Sequence, residues 1–251
     1  MLTLFPELLE TAFRESFFVR AQTLSWVEWR ARNIRDFATD RYRSVDDAPY
    51  GGGPGMVLRA DVLGRCLEAA RAEMLPSGAE PASRILVTYL SPQGTCWNAK
   101  AAKARAQEIL GIQGTHPDGT SGYAGWILVC GHYEGVDERF IEAYVTEEIS
   151  IGDYVLTGGE LPAWVVLDSV VRWLPSVLGN PASAGEDSLE GGLLKYPHYT
   201  RPAVWRGQKV PDVLLSGHHE NIVTWRQKAA LSATKKKRPD LLRTIERERL
   251  S

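Results

Sequence analysis

Glycine-rich segments that follow apolar runs are the parts of this chain best suited to bind a ligand. Three such segments occur: Ser91–Gly94, Gly131–Gly135 and Gly152–Gly159. Glycine lets the backbone approach a ligand closely, so that its free amides and carbonyls can read the edge of an adenine. In open α/β sheets ligands bind beyond the carboxyl ends of the strands, so segments that follow separate strands can converge on one pocket. A tight turn explains any one of them, but the three together favour a ligand site.

The common signatures of nucleotide and metal sites are absent from the sequence. No glycine-rich segment has the Gly-x-Gly-x-x-Gly spacing that opens a dinucleotide-binding helix, and Gly-Lys-Ser/Thr does not occur. The adjacent His218 and His219 cannot face one ion from a helix, and the five histidines show no metal-ligand spacing. These patterns disfavour a dinucleotide fold and a P-loop, and we predict no metal site.

The glycine-rich segments must be positioned by the elements that precede and follow them. Apolar runs predict strands at Ile85–Leu90, Trp126–Cys130 and Val145–Ile149, with a turn at Ser91–Gly94. Helices are predicted from a cap at Asn98 to a stop at Gly111, and at Asp137–Tyr144 and Leu161–Trp173. Alternation of this kind indicates an α/β fold with a mainly parallel sheet and flanking helices.

Weaker patterns precede these elements. Thr3–Phe5 is predicted to end a strand and Pro6 to begin a helix, whereas Gln22–Trp29 alternates loosely and predicts a strand. Asp61 is a candidate cap for a helix whose apolar residues share one face. The glycine-rich loop Asp46–Val57 is expected to be ordered, because a strand and a helix follow it directly.

Composition limits the class of protein. Of 251 residues 44% are hydrophobic and 24% charged, which is typical of a globular protein able to bury a core. The longest apolar run, Leu161–Pro175, contains Asp168 and Arg172, so no membrane span is predicted, and the first residues lack a signal-peptide pattern. The three cysteines, Cys66, Cys96 and Cys130, form no Cys-x-x-Cys pair, which indicates reduced thiols and a cytoplasmic location.

Charge is distributed unevenly along the chain. Residues 195–251 carry thirteen Lys and Arg against five Asp and Glu, although the net charge of the whole chain is −2. This asymmetry is explained either by a tail that binds a polyanion or by solvated helix faces. The tail itself is predicted to be helical, with Ile222, Trp225 and Ala229 on one face and a last helix opened by Pro239. Before it, Ser176–Gly192 is rich in small residues and predicts a mobile linker.

Taken together, the sequence closely resembles the bacterial tRNA (guanine-N1)-methyltransferases that modify position 37, a knotted family of the SPOUT class. The residues that carry the resemblance span nearly the whole chain: Leu4–Glu7, Asp46–Val57, Leu90–Gly94, Cys130–Arg139, Ser150–Pro162, Tyr196–Pro202 and Val213–His219. Two departures occur. Family members usually have a few more residues before Thr3, and position 132 is Arg in some of them and His here, so His132 is given no catalytic role.

The resemblance implies a trefoil-knotted α/β domain over residues 1–160 and a helix with an interdomain linker over 161–194. A small, basic, helical tRNA-binding domain follows over 195–251. It also implies a homodimer with the active site at the interface, and S-adenosylmethionine as methyl donor, without specifying a Mg²⁺ requirement. The residues that it places against the donor are Tyr89, Leu90, Ser91, Gly131, Glu134, Ile151, Gly152, Asp153, Tyr154, Val155, Leu156, Gly158 and Gly159.

The same resemblance assigns catalytic roles. Guanine N1 carries a proton at neutral pH, so methylation needs a base, and a cation can stabilise the charge that builds toward O6. The family pattern maps the base onto Asp187 and the cation onto Arg172. Without the resemblance, a solvated linker acid and a surface salt bridge would explain these two residues equally well.

The basic tail would then hold the anticodon arm through phosphate contacts from Arg201, Arg226 and Lys235–Arg238. Three other functions stay open at this point. A related knotted enzyme could methylate a ribose 2′-hydroxyl, a non-catalytic RNA-binding protein would keep the basic tail, and a dehydrogenase would need the missing dinucleotide signature.

Overall fold

The computed structural model describes residues 1–75, 85–111, 125–179, 187–189 and 191–242. The chain forms two compact units, Met1–Gly179 and Asn180–Ser251. The predicted linker Ser176–Gly192 is described only in part, because residues 180–186 and 190 lie outside these ranges. In the parts of the chain that the structure describes, no helix is both long and apolar enough to cross a membrane.

A parallel five-stranded sheet forms the centre of the first unit. Its strands stand in the order β2-β1-β6-β5-β7, and every neighbouring pair is parallel. They are β1 (Leu2–Thr3), β2 (Arg32–Asn33), β5 (Ile85–Cys96), β6 (Gly125–Cys130) and β7 (Glu147–Ser150). A separate antiparallel pair consists of β3 (Asp46–Asp47) and β4 (Val57–Leu58). The predicted α/β class with a mainly parallel sheet is confirmed.

Helices cover both faces of this sheet. They are α1 (Pro6–Ala12), α2 (Ser16–Thr23), a 3₁₀ turn (Ile34–Phe37), α3 (Ala60–Met74), α4 (Ala99–Ile109), α5 (Glu138–Tyr144) and α6 (Glu160–Val171). Successive side chains of a strand point to opposite faces, and β6 shows the result. Ile127 and Val129 enter one hydrophobic cluster, whereas Leu128 and Cys130 enter the other.

A buried ion pair joins α4 to the sheet. Arg105 approaches Glu147 at 2.6 Å, and the hydroxyl of Thr88 donates to the same carboxylate over 2.6 Å. Burial alone would raise the pKa of Glu147, but the hydrogen bonds from Arg105 and Thr88 outweigh burial and lower it. The pair therefore fixes α4 across β5 and β7 while remaining charged.

Local signals predict some element ends and fail at others. The side chain of Asn98 accepts from the amide of Ala101 over 3.0 Å, and Gly111 ends α4 with φ of 68°, both as predicted. The predicted cap at Asp61 is wrong, because α3 begins at Ala60 and Asp61 instead pairs with Arg59 and Arg65.

Two other predictions of local structure are wrong. Gln22–Trp29 is not a strand, because α2 runs to Thr23 and the two tryptophans that follow pack against helices: Trp29 stacks on Phe13, and Trp26 donates to the carbonyl of Pro175. Ser91–Gly94 is not a turn that ends a strand. Strand β5 continues to Cys96, with Leu90 and Thr95 both opposite Ile149, so that the residues between them bulge outward.

The described part of the second unit contains a short hairpin, two helices and the first residues of a third helix. Its elements are β8 (Val204–Trp205), β9 (Gln208–Lys209), α7 (Asp212–Leu215) and α8 (His219–Lys237). Thr234, buried on α8, accepts a hydrogen bond from the amide of Leu194 over 2.9 Å. The last helix, predicted to begin at Pro239, is present at residues 239–242, and residues 243–251 lie outside the described part of the chain.

Candidate functional site

A cleft opens in the first unit at the carboxyl ends of β5, β6 and β7. This is the edge of a parallel sheet at which ligands bind. Of the residues predicted to contact a donor, all but Asp153 line it, and Asp153 is exposed on the same loop. The lining consists of Tyr89–Pro92, Gly131–Gly135, Ile149–Gly152, Tyr154–Gly159 and Pro162. The three glycine-rich segments thus meet in space, although they lie far apart in the sequence.

The first wall of the cleft is the part of β5 just before its bulge, where Tyr89 is buried beside Gly131. A Cβ atom on residue 131 would lie 2.8 Å from the Tyr89 ring, so glycine is needed for the ring to occupy this place. Burial raises the pKa of Tyr89 to about 12, and the nearby carboxylates of Glu148 and Glu138 add to the effect. The phenol therefore stays protonated at neutral pH.

The second wall, Gly131–Gly135, rests on the β3–β4 hairpin. The amide of Glu134 donates to the carbonyl of Met56 over 3.0 Å, and the amide of Leu58 donates to the carbonyl of Gly135 over 2.9 Å. Gly55 has φ of 78°, and a side chain there would collide with the side chain of Glu134. The Asp46–Val57 loop, which was predicted to be ordered, therefore supports Glu134, whose carboxylate lines the cleft.

The third wall, Ile151–Gly159, closes against the second. The amide of Gly159 donates to the carbonyl of Gly131 over 2.9 Å, and His132 and Gly158 form a β-bridge. Gly152 has φ of 152°, and a Cβ atom there would lie 2.5 Å from the ring of Tyr154. Two of the three walls are therefore held together by backbone hydrogen bonds.

Sequence reasoning missed a buried polar cluster at this junction. Both carboxylate oxygens of Glu160 lie within 2.9 Å of Nε2 of His132, and the hydroxyl of Thr3 donates to the same carboxylate over 2.5 Å. Only 5% of Glu160 is exposed. The one signal in the sequence was the position of His132, directly after Gly131 in a predicted ligand segment. Glu160 gave no signal, because a glutamate is common in the first turn of a helix.

Of the two predicted catalytic residues, Arg172 lies in the first unit but away from the cleft, and Asp187 lies in the second unit. Arg172 is the C-cap of α6, at the opposite end of that 12-residue helix from Gly159. A helix of this length separates its ends by about 18 Å. Asp187 is half-buried in the second unit, where its Oδ1 lies 3.3 Å from Nζ of Lys195. The structure brings together the residues predicted to contact the donor but does not bring Arg172 to the cleft of its own chain.

A larger cavity of about 410 Å³ lies at the opposite edge of the sheet. Trp26, Trp29 and Trp126 line it, together with the first residues of β6. It contains none of the predicted site residues, and the usual place for ligands in parallel sheets is the other edge. The described residues also contain no cluster of three or more His, Cys, Asp or Glu side chains that could hold a metal ion.

Comparison with known proteins assigns a family to this arrangement. The pattern of the family described as "tRNA (Guanine-1)-methyltransferase TrmD" matches residues 1–244. Curated relatives named "tRNA (guanine-N(1)-)-methyltransferase" agree with it. The chain is 48% identical to one from Geobacter metallireducens over 242 residues, 96% of the chain and 89% of the relative. It is 50% identical to one from Chromobacterium violaceum over 240 residues, 96% and 87% of the two chains.

Proposed function

The chain belongs to the tRNA (guanine-1)-methyltransferase family, and we propose that it methylates N1 of guanine 37, beside the anticodon of tRNA. It is a tRNA (guanine-N1)-methyltransferase, and membership of the family implies S-adenosylmethionine as methyl donor. The observation that carries the proposal is the convergence of the glycine-rich segments on one cleft at the carboxyl ends of β5, β6 and β7. We also propose a cytoplasmic location, in keeping with the reduced cysteines.

The cleft suits S-adenosylmethionine in shape and in charge. Glycines at 131, 152, 158 and 159 let the segments of its walls pack closely on one another, so that their backbone amides and carbonyls lie near an adenosine in the cleft. The donor has a net positive charge because it combines an ammonium, a sulfonium and a carboxylate. The carboxylate of Glu134 in the lining attracts that charge. When bound, the donor supplies the electrophilic methyl group.

The proposed base is Asp187 and the proposed cation is Arg172. The carboxylate of Asp187 accepts the proton from N1, the N1–methyl bond forms as the sulfur–methyl bond breaks, and S-adenosylhomocysteine leaves as a neutral thioether. Arg172 stabilises the negative charge that builds on O6 during this transfer. General-base catalysis of this type contributes about 10²- to 10⁴-fold to a rate.

Arg172 supports a homodimer with the active site at the interface. The length of α6, about 18 Å, separates Arg172 from the cleft of its own chain, so we propose that it acts at the cleft of a second copy. Exposed apolar side chains provide a surface for such a copy. Phe5 at the start of α1, Leu8 on α1, and Leu161 and Val165 on α6 are each about half exposed, and the two helices pack together.

The path of the chain at the cleft supports the proposed knot. Strand β7 lies on one side of β5 and β6 lies on the other. After β7, the chain passes the carboxyl end of β5 and packs Gly159 onto the backbone of Cys130 and Gly131, at the end of β6. We propose that this crossing is part of a trefoil, one of the rare exceptions to unknotted topology.

The second unit is proposed to bind the anticodon arm of tRNA. Arg201, Arg206 and Lys209 are exposed near the β8–β9 hairpin, as are Lys235–Arg238 on α8. Trp205 is 61% exposed, and the guanidinium of Arg206 lies 4.8 Å from the centre of its ring. Cations suit phosphates, and an exposed aromatic ring suits an unstacked base. Arg226 is half-buried and stacks on Tyr196 at 4.8 Å, so its part is to shape this surface.

The product of the reaction tests the proposal. The enzyme is incubated with S-adenosylmethionine that carries a labelled methyl group and with a tRNA transcript that has guanine at position 37. We expect labelled 1-methylguanosine at that position and no label in a transcript with adenine there. Label at another nucleotide, or on a ribose 2′-hydroxyl, would contradict the proposed site of methylation.

A further inference from the structure

The carboxylate of Glu160 joins three separate parts of the first unit. Thr3, at the end of β1, donates its hydroxyl hydrogen to Oε1 over 2.5 Å. His132, just after β6, places Nε2 at 2.9 and 2.8 Å from the two oxygens. Glu160 itself begins α6, directly after the loop Ile151–Gly159. A single buried acid therefore contacts the ends of two neighbouring strands and the start of the helix that follows the third wall of the cleft.

The cluster lies directly behind the two walls that meet. His132 lines the cleft and forms a β-bridge with Gly158. A side chain on residue 158 would collide with the His132 ring and would lie 2.7 Å from Oε2 of Glu160. The ring of Phe5 packs edge-on against His132 at 5.1 Å, on the side of β1. The imidazole is thus fixed by neighbours on several sides.

The backbone beside His132 needs such support. Tyr133 has φ of 61°, in the left-handed region that residues with side chains rarely adopt. Strained backbone of this kind persists only when the surrounding structure fixes it. The hydrogen bond between His132 and Glu160 supplies a fixed point one residue before the strain, and the hydrogen bond from Glu134 to Met56 supplies one directly after it.

The carboxylate of Glu160 stays ionised at neutral pH. Burial alone would raise the pKa of Glu160, but the hydrogen bonds from His132 and Thr3 outweigh burial and lower it. A buried carboxylate is tolerated when its hydrogen bonds are satisfied, and removal of one partner exposes the penalty of burial. Short hydrogen bonds such as those of Glu160 are expected in a part of the structure that stays fixed, and not in a loop that opens and closes.

We propose that Thr3, His132 and Glu160 are positioning residues that hold Gly131–Gly135 and Ile151–Gly159 in the shape that accepts the methyl donor. The cluster acts through the two walls and leaves the chemical step to other residues. This inference rests on the proposed donor site in the cleft. It predicts that damage to the cluster weakens donor binding. The rate of methyl transfer at saturating donor concentration and the affinity for tRNA should both change little.

The mildest test is Thr3→Val, which keeps the shape of the side chain and removes the hydroxyl. We expect the dissociation constant and the KM for S-adenosylmethionine to rise about tenfold, with kcat and the KM for tRNA within twofold of wild type. Thr3→Ser restores the hydroxyl and should restore donor affinity. His132→Ala should have a larger effect in the same direction, and His132→Arg, whose guanidinium can donate to the same carboxylate, should recover part of it.

Glu147→Gln is the matched control, because it breaks a buried ion pair outside the cleft. It should lower the melting temperature while donor affinity stays within twofold. Calorimetry on the wild type comes first, since absence of binding there would contradict the proposed donor site itself. If the wild type binds and Thr3→Val lowers only the melting temperature, with donor affinity unchanged, the cluster is merely structural and the inference is wrong. Because Thr3→Val is so mild, this result decides the matter even where His132→Ala fails to fold.

Discussion

Lys195 contacts Asp187, the proposed base, with its Nζ 3.3 Å from Oδ1 of the carboxylate. The two residues stand on either side of a short turn in which the amide of Lys195 also donates to the hydroxyl of Ser188 over 3.0 Å. We expect the N1 proton to compete with this lysine for the carboxylate.

The first prediction tests that carboxylate. Asp187→Asn keeps the shape of the side chain but removes its capacity to accept the N1 proton. We expect single-turnover methyl transfer to fall about 10²- to 10⁴-fold, while affinities for donor and tRNA stay within a few-fold. Asp212→Asn makes the same change at an exposed position of the second unit and should leave the rate unaltered. Near wild-type turnover by Asp187→Asn would assign proton removal to another group.

A second prediction concerns Glu134 and the charge of the donor. S-adenosylmethionine is positive overall, whereas the product S-adenosylhomocysteine has lost the sulfonium charge and is neutral overall. Glu134→Gln should therefore weaken binding of the donor more than binding of the product. We expect the preference for donor over product to fall about tenfold, which corresponds to about 1.4 kcal/mol. Calorimetric titration with each ligand measures it, and an equal loss for both would show that Glu134 does not sense the sulfonium.

The strands and glycine-rich loops could be predicted because their signals are local. Ile127 and its neighbours form an apolar run that only a buried strand accommodates, and Asn98 and Gly111 mark the ends of α4 by capping. The segment Gln22–Trp29 could not be predicted in this way. Its alternation comes from Trp26 and Trp29, whose ring nitrogens donate to the carbonyls of Pro175 and Phe18, and these contacts depend on tertiary packing.

The residues of the candidate site likewise divide into those that a local sequence signal predicts and those that have no such signal. Glycines that follow predicted strands indicate the cleft, because the carboxyl ends of parallel strands meet at the same edge of the sheet, whatever sequence lies between the strands. The cluster at Glu160 has no such signal, since Thr3 and Glu160 are 157 residues apart and each is ordinary in its own segment. Asp187 and Arg172 were predicted only through resemblance to a family, and no local pattern distinguishes them from other surface charges.

Buried thiols lead to a third prediction, on stability at high pH. Burial raises the pKa of Cys66 from 9.0 to about 12, so the folded protein keeps this thiol neutral where the unfolded chain ionises it. Above pH 9 the unfolded state therefore binds fewer protons, and the free energy of unfolding must fall as pH rises. One such thiol contributes about 1.4 kcal/mol of loss for each pH unit between these two pKa values.

Cys66→Ala isolates this contribution from those of other groups that titrate in the same range. The variant should be less stable than wild type at pH 8 because it leaves a cavity, and its stability should decline less steeply from pH 9 to 11. Urea unfolding at several pH values gives both slopes. Parallel curves for the two proteins would show that Cys66 ionises with an ordinary pKa in the folded state. Cys96, which is exposed, provides the control through Cys96→Ala, whose slope should match wild type.

The last prediction concerns the basic end of α8. Lys235, Lys236 and Lys237 are exposed in its last turn, where positive charge also complements the helix dipole, and Arg238 pairs with Asp240 at 2.6 Å. Two explanations therefore compete: the run binds tRNA phosphates, or it only stabilises the helix end.

Each phosphate contact contributes up to ~0.9 to the slope of log affinity against log salt on duplex nucleic acid. Replacement of the three lysines by alanine should thus weaken tRNA binding and flatten that slope, while donor affinity is unchanged. Arg238→Ala should change the slope less, because Asp240 already neutralises the guanidinium. A triple variant that loses helix stability but binds tRNA with the wild-type slope would assign the lysines to the helix dipole alone.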